Sequence, residues 1–394
     1  MKKASIGRLY LFYGLFAVFS NMVHPITPTM FIEKGFPDYL FGIAFAAMSF
    51  SFFIGSLIWG GVGDSKGHIK VITFAMPMYG LSQLVFGITS SAFVTIVARF
   101  VSGFFGAGFF VCSMAYLINL TNNENRGRHM SYYVAFNSVG SAFGYFLGGK
   151  IGSISILAVI VSQTVAIFLC AIVTRLMLED NELSDSKFSM STSINPFKSY
   201  SNIMGKMPIF LTTFLITVFL TSFATIAYDN AFNYYLREAL SLPASYNGNV
   251  KAIIGIITLI ANFTINIYIV NHTETRKSII FVLLFCGISS MIVPFISGLY
   301  PFFISNIVFF MFNAIYLPIQ QDIVTSGQDP RISGIISGIF NSVRAIGMIF
   351  GSLYSGFVYE LGNTIPFITA SIVFFVSAAI SVKNLKQYKS KNVE

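Results

Sequence analysis

Asp229 lies in Ala227-Tyr228-Asp229-Asn230-Ala231-Phe232, inside one of the long apolar runs of a 394-residue chain. Desolvation and a neighbouring cation pull the protonation of such a carboxyl in opposite senses, the tuning a group needs to take up and release a proton. Its other reading is a carboxylate at a wet mouth. Two arginines also fall inside apolar runs. Arg344 is about twelve residues into its run, where an ammonium or guanidinium is hardest to bring to water, and it could hold an anionic group or compensate Asp229. Arg99 is about seven residues into its run, so it either snorkels to the nearer surface or serves proton movement with Asp229. His24, beside Pro25 and Pro28, titrates near neutral pH and could relay a proton, or it is a hydrogen-bonded structural histidine. Asp322, near the end of its run, is expected to pair with Arg331 or a helix end. Polar side chains along the same runs could line a ligand path or pack helices together: Asn21, His24, Gln163, Tyr228, Asn233, Asn262, Asn266, Asn313, Tyr316, Gln320, Asn341 and Arg344.

The elements that must position these groups follow from composition. Apolar residues make up 55% of the chain and charged residues only 10%, against about 25% charged in ordinary soluble proteins. Mean hydropathy is +0.74, so lipid is the solvent for most of the surface. Apolar runs fall near 8–31, 39–62, 70–90, 92–120, 130–150 and 153–178, then near 208–236, 248–270, 278–298, 300–325, 332–359 and 363–383. Each is long enough for a helix to cross a bilayer, which takes about 20 residues. The fold class expected is an all-α membrane protein of twelve transmembrane helices in two pseudo-symmetric six-helix halves. Its domains are 1–178, a cytoplasmic linker at 179–207 rich in Asp, Glu, Ser and Thr, and 208–394 with a short basic tail.

The net charge of +9 sits in short clusters between the runs and forms no nucleic-acid patch. With the amino terminus inside, 18 of the 24 Lys and Arg fall in inner segments and 4, namely Lys34, Lys150, Arg237 and Lys251, in outer ones. That bias places both termini and the linker in the cytoplasm of a multi-pass cell-membrane protein. Cys112, Cys170 and Cys286 each lie within an apolar run, with neither a disulfide pattern nor metal-ligand spacing. The basic start followed by a long apolar run reads as an uncleaved first helix. A short repeat marks the two halves: Phe136-Asn137-Ser138-Val139 recurs as Phe340-Asn341-Ser342-Val343, offset by 204 residues. Each copy leads into small residues, Gly140, Gly144 and Gly148 in one half and Gly347 and Gly351 in the other.

Three motifs carry a family resemblance. Between the second and third runs, Gly60-Gly61-Val62-Gly63-Asp64-Ser65-Lys66-Gly67-His68-Ile69-Lys70 resembles the loop signature G-x-L-a-D-r-x-G-r-k of the major facilitator superfamily. Gly60, Asp64 and Gly67 match, while His68 and Ile69 replace two basic residues. The glycines suit a tight turn and the carboxylate a helix amino terminus. Arg99-Phe-Val-Ser-Gly103-Phe-Phe-Gly106-Ala107-Gly108 is similar to the family's R-x-x-x-G pattern. Gly140-x-x-x-Gly144-Tyr145-x-x-Gly148-Gly149 resembles the G-x-x-x-G-P-x-x-G-G signature of its drug:proton antiporters, with Tyr145 in place of proline. Glycines spaced by four form a face that lets another helix approach closely.

The resemblance covers essentially the whole chain. It implies a secondary transporter and not an enzyme, working by alternating access as a functional monomer in a bacterial membrane. It implies a conformational latch at Gly60, Asp64, Gly67 and His68, with Asp64 closing onto the eleventh span, and proton coupling through Asp229, Arg99, Arg344 and His24. The antiporter-like glycine face would be Gly140, Gly144, Gly148 and Gly149. The leading expectation is export of a small organic or amphiphilic molecule with no cofactor or metal, the proton gradient being the energy source and membrane lipid the surrounding partner. A neutral, zwitterionic or anionic amphiphile fits the central arginine better than an organic cation. A dedicated exporter of a metabolite, siderophore, metallophore or sugar, a proton symporter, a lipid flippase and a non-transporting receptor are the competing readings. No G-x-x-x-x-G-K-[ST] loop occurs, which disfavours ATP-driven transport by this chain alone.

Overall fold

The computed structural model describes residues 2–121, 123–180, 209–296, 298–325 and 330–391. Among them the chain is helical, in twelve long elements. The first six are α1 (Lys2–Asn21, resuming as Thr27–Glu33), α2 (Asp38–Lys66), α3 (His68–Ile88), α4 (Ala92–Leu120), α5 (Asn123–Gly152) and α6 (Ile156–Met177). The others are α7 (Ile209–Arg237), α8 (Ala244–Ala261, resuming as Ile267–His272), α9 (Thr275–Ile292), α10 (Leu299–Thr325), α11 (Pro330–Leu361) and α12 (Ile365–Lys391). Over the described residues, ten are long and apolar enough to cross a membrane. The glycine ladders lie on α5 and α11. The linker at 179–207 falls almost wholly outside the described residues.

Local chemistry accounts for the breaks. Pro25 and Pro28 lack the N–H a helix interior needs, and α1 passes through a 3₁₀ turn at His24–Ile26 before resuming. Ser91 and Ser155 cap α4 and α6 by accepting from the N–H groups of Val94 and Ala158. The far end of α3 is closed by Lys34, whose Nζ donates to the carbonyls of Gly87 and Thr89 at 2.6 Å each. Burial draws that ammonium below the ordinary lysine range, while the carbonyl end of a helix favours its charge. In α8 the ladder widens to a π turn at Asn262–Asn266.

The chain forms two compact units. The first holds α1 to α6 together with Leu236–Ile256; the second holds α7 up to Tyr235 and the chain from Ile257. Compactness thus groups the first part of α8 with the amino-terminal helices, whereas sequence places it in 208–394.

In the first unit the glycines of α5 are spent on α1. A Cβ at Gly140 would lie 2.5 Å from the Gly14 carbonyl oxygen, and one at Gly144 or Gly148 would overlap the carbonyls of Val18 and Met22. Steps of four on both helices keep the contact on one face of each. Gly149 turns to α8, where a Cβ would meet Gly248 Cα at 2.8 Å. Arg99's helix is seated the same way: Gly103 abuts the Met48 carbonyl, and Trp59 Nε1 donates to Phe104 O at 2.9 Å. Stacked rings fill the space between, Tyr13 on Tyr133 with centroids 3.7 Å apart and Phe16 on Phe109 at 3.8 Å.

The second unit repeats the device with α11 on α7. Gly347 and Gly351 face the carbonyls of Phe219 and Phe223. Two turns further along α7, Asn230 Nδ2 donates to the hydroxyls of Ser352 and Ser355. Tyr228 is core: its ring stacks on Phe309 at 3.7 Å and its hydroxyl donates to Asn306 Oδ1 at 2.6 Å.

Candidate functional site

The loop motif between α2 and α3 is mostly helix. Gly60 and Asp64 lie in the last turns of α2, and a Cβ at Gly60 would meet nothing closer than Val111 at 3.6 Å. The turn that sequence assigns to several glycines is made by Gly67 alone, with φ of 104°. A Cβ there would also strike the Asp180 carboxylate at 2.6 Å. Asp180, just past the end of α6, accepts from Ile69 N–H at 2.7 Å and so caps α3 from 111 residues away. His68 is buried and brings Nε2 to 3.2 Å from Asp64 Oδ1, whose side chain is 56% exposed. The end of α6 is tied further by Arg8, donating to Met177 O at 3.1 Å, and by Tyr116, donating to Glu179 O at 2.8 Å. The side chains at the start of α11, Arg331 among them, lie outside the described residues. The expected pairing of Asp322 with Arg331 therefore falls outside the described residues; within them Asp322 lies in electrostatic reach of Arg276.

The interior of the first unit holds a cationic group. Arg99 is 0% exposed and does not snorkel. Its guanidinium carbon lies 3.6 Å over the Phe86 ring and 5.2 Å from the Phe45 centroid, and Nη2 donates to Thr27 Oγ1 at 3.4 Å. Nε has no hydrogen-bond partner among the described residues. His24, at the 3₁₀ turn, stacks on Tyr145 with centroids 5.7 Å apart and lies within electrostatic reach of both Arg99 and Lys251. Lys251, on α8, is only 8% exposed and sits 6.0 Å from the centre of the same Tyr145 ring. The tyrosine that replaces the signature proline therefore contacts both His24 and Lys251. Asn247, one turn before Lys251, is buried, reaches Pro25 O at 3.5 Å and leaves Oδ1 without a partner among the described residues. Asn21 spans from the Ala17 carbonyl to Ser141 Oγ, and Gln163 is fully buried with neither amide atom partnered among the described residues.

The second unit gathers a polar seam. Thr225 Oγ1 accepts from Asn313 Nδ2 and shares a proton with Tyr316 OH, both at 2.8 Å. One turn away, Gln320 Nε2 donates to Thr221 Oγ1 at 3.0 Å. Threonines four apart on α7 thus face positions 313, 316 and 320 on α10. Arg344 on α11 reaches this seam electrostatically at the Tyr316 hydroxyl. Asp229 is half-buried on α7, and Asn233 Nδ2 donates to its Oδ2 at 3.2 Å and to its carbonyl at 2.7 Å. Asn262 and Asn266 begin and end the π turn of α8, and Asn341 is exposed.

Sequence reasoning nominated Asn313, Tyr316, Gln320 and Arg344 separately, and the fold brings these four together. It missed Thr221 and Thr225, whose signal is their spacing of four in an apolar helix. It also missed Lys251, which lies three residues into its run and reads as a flank.

Two units, each packed through a glycine-faced helix, and a short turn stapled at Gly67 are the architecture the motifs describe. A profile of the Major Facilitator Superfamily matches residues 9–352. The chain belongs to this superfamily. Along its whole length this major facilitator is similar to Multidrug resistance protein 2 of Bacillus subtilis (strain 168), 20% identical over 380 residues that cover 95% of this chain and 94% of the relative. Among solved structures it shares the fold of the human organic anion transporter MFSD10, with a TM-score of 0.69, 15% identity and coverage of 96% and 99% of the two chains. It shares it equally with the xylose transporter XylE of E. coli in an inward open conformation, with a TM-score of 0.75, 14% identity and 96% coverage of both. The protein is a multi-pass membrane transporter of a small molecule.

Proposed function

We propose that this major facilitator is a proton-coupled antiporter that exports an anionic or zwitterionic amphiphile from a bacterial cytoplasm. The observation that carries the coupling is the depth of Asp229. Among the described Asp and Glu it alone lies deep within a span, eight residues from the end of α7, about 12 Å along the helix axis. Asn233 hydrogen-bonds the charged form, and a proton bound at Oδ2 would exchange that acceptor for a donor. Such a group senses the two sides of the membrane through its protonation.

The substrate class follows from the sign of the buried basic groups within each unit. The first unit brings the cations Arg99 and Lys251 within electrostatic reach of His24, and the cation Arg344 stands by the hydroxyl-rich seam of the second. An organic cation would meet repulsion at each of these sites, whereas a carboxylate or phosphate would find charge-assisted donors. Tyr145 and Phe45, beside His24 in the first unit, supply apolar surface for the rest of an amphiphile. Export is the direction that the end-to-end similarity to multidrug resistance proteins supports. Asp64, Gly67 and His68 act as the latch at the turn that Asp180 staples.

Transport in proteoliposomes under an imposed pH gradient tests the reading, with anionic, neutral and cationic amphiphiles in parallel. Gradient-driven movement of the anions with counterflow of protons supports it. Flux that ignores the gradient, or preference for the cations, removes it.

A further inference from the structure

Outside the transport machinery, α3 and α6 form a groove that opens to the side of the first unit. Its volume is about 470 Å³, and its walls are Phe74, Pro77, Phe168 and Ile172, with Lys70 and Arg175 at one end. The two helices touch tightly at the other end, where Thr164 Oγ1 donates to Gly80 O at 3.3 Å and Ile167 lies 3.4 Å from where a Gly80 Cβ would be. The groove is thus closed in the bilayer interior and widens toward the cations.

Depth decides what can occupy it. Lys70 stands two residues from the start of α3 and Arg175 two residues from the end of α6. From Lys70 to the end of α3 at Ile88 is about 27 Å of helix, so the cations sit at headgroup level on one side of a hydrocarbon layer about 30 Å thick. Both are exposed, and neither has a carboxylate partner among the described residues. Asp180, at the same end, is engaged by Ile69 N–H. Leu176, beside Arg175, is 80% exposed, so the mouth faces lipid and not protein.

We infer that this groove is a binding site for an acidic glycerophospholipid, its phosphate held by Lys70 and Arg175 and one acyl chain lying along Phe74, Pro77 and Ile172. A free anion would use the cations but leave the apolar wall unoccupied; a zwitterionic lipid would fill the wall but bring a cation of its own. Charge and shape together select a lipid with a net negative headgroup.

Native mass spectrometry of the full chain, titrated with phosphatidylglycerol or phosphatidylcholine of matched acyl chains, reads the site. The wild type should retain phosphatidylglycerol in preference, and Lys70→Gln with Arg175→Gln should cut that preference by about fivefold per cation removed. The charge-conserving pair Lys70→Arg and Arg175→Lys should keep it, which separates loss of charge from loss of fold. Ile172→Trp, filling the wall without changing charge, should lower retention of the lipid. Equal preference in wild type and the double Gln variant overturns the inference. So does displacement of the lipid by glycerol phosphate at equimolar concentration, which would mark a site for anions and not for lipid.

Discussion

A single methyl group at Gly140 tests whether the α1–α5 seam is built on backbone contact. Its Cβ would lie 2.5 Å from the Gly14 carbonyl oxygen and 3.0 Å from Ala17 Cβ, against 3.4 Å where ordinary contact begins. The helices must part by about 0.9 Å, and the carbonyl that blocks them cannot rotate away as a side chain would. Overpacking of this kind costs about 1–3 kcal/mol. The helix propensity gained on replacing glycine by alanine returns roughly 0.5–1 kcal/mol, so the loss prevails. Gly7→Ala on α1 is the control, because nothing lies within 4 Å of its Cβ and only the propensity gain remains. Cys112, Cys170 and Cys286 are free and buried, so a thiol-reactive dye reports unfolding. At about 2–4 °C per kcal/mol, Gly140→Ala should melt several degrees below wild type and Gly7→Ala at or above it. A Gly140→Ala protein as stable as wild type would refute the close approach.

Other expectations follow from the staple and the seam. Asp180→Ala removes the distant cap of α3 and should lower stability by about 1 kcal/mol, read as earlier hydrogen exchange at the first turn of α3. Thr225→Val deletes the shared partner of Asn313 and Tyr316 in a buried site, a cost of about 1–3 kcal/mol, and should raise the KM for substrate more than it lowers expression. Lys251→Gln leaves the fold but removes a cation beside His24 and Tyr145; affinity for anionic amphiphiles should fall while that for neutral ones holds, as equilibrium binding will show.

Much of the fold was legible because hydrocarbon enforces a simple code. Twelve apolar runs gave twelve helices, Pro25 marked the break in α1, and the glycine steps marked faces that another helix could approach, though not which helix. The duplicated tetrapeptide pointed to paired roles for α5 and α11, and both do pack through their glycines. The turn at Gly67 was legible as a turn, but its partner Asp180 was not, since a cap supplied over 111 residues leaves no local trace. Lys251 was hidden by its position near the start of a run, where lysine normally faces water. The seam of the second unit could be guessed residue by residue from its amides. Their convergence on Thr221 and Thr225 depends on how α7 and α10 are rotated, which sequence periodicity in all-apolar helices does not record.

The central claim is that Asp229 carries the proton that drives export. The direct measurement is transport by Asp229→Asn in proteoliposomes with and without a pH gradient, alongside equilibrium binding of the same anionic amphiphile. The account predicts that gradient-driven accumulation is abolished while binding and passive exchange persist with the pH dependence of binding flattened. Accumulation by Asp229→Asn that still follows the proton gradient at the wild-type level would contradict it.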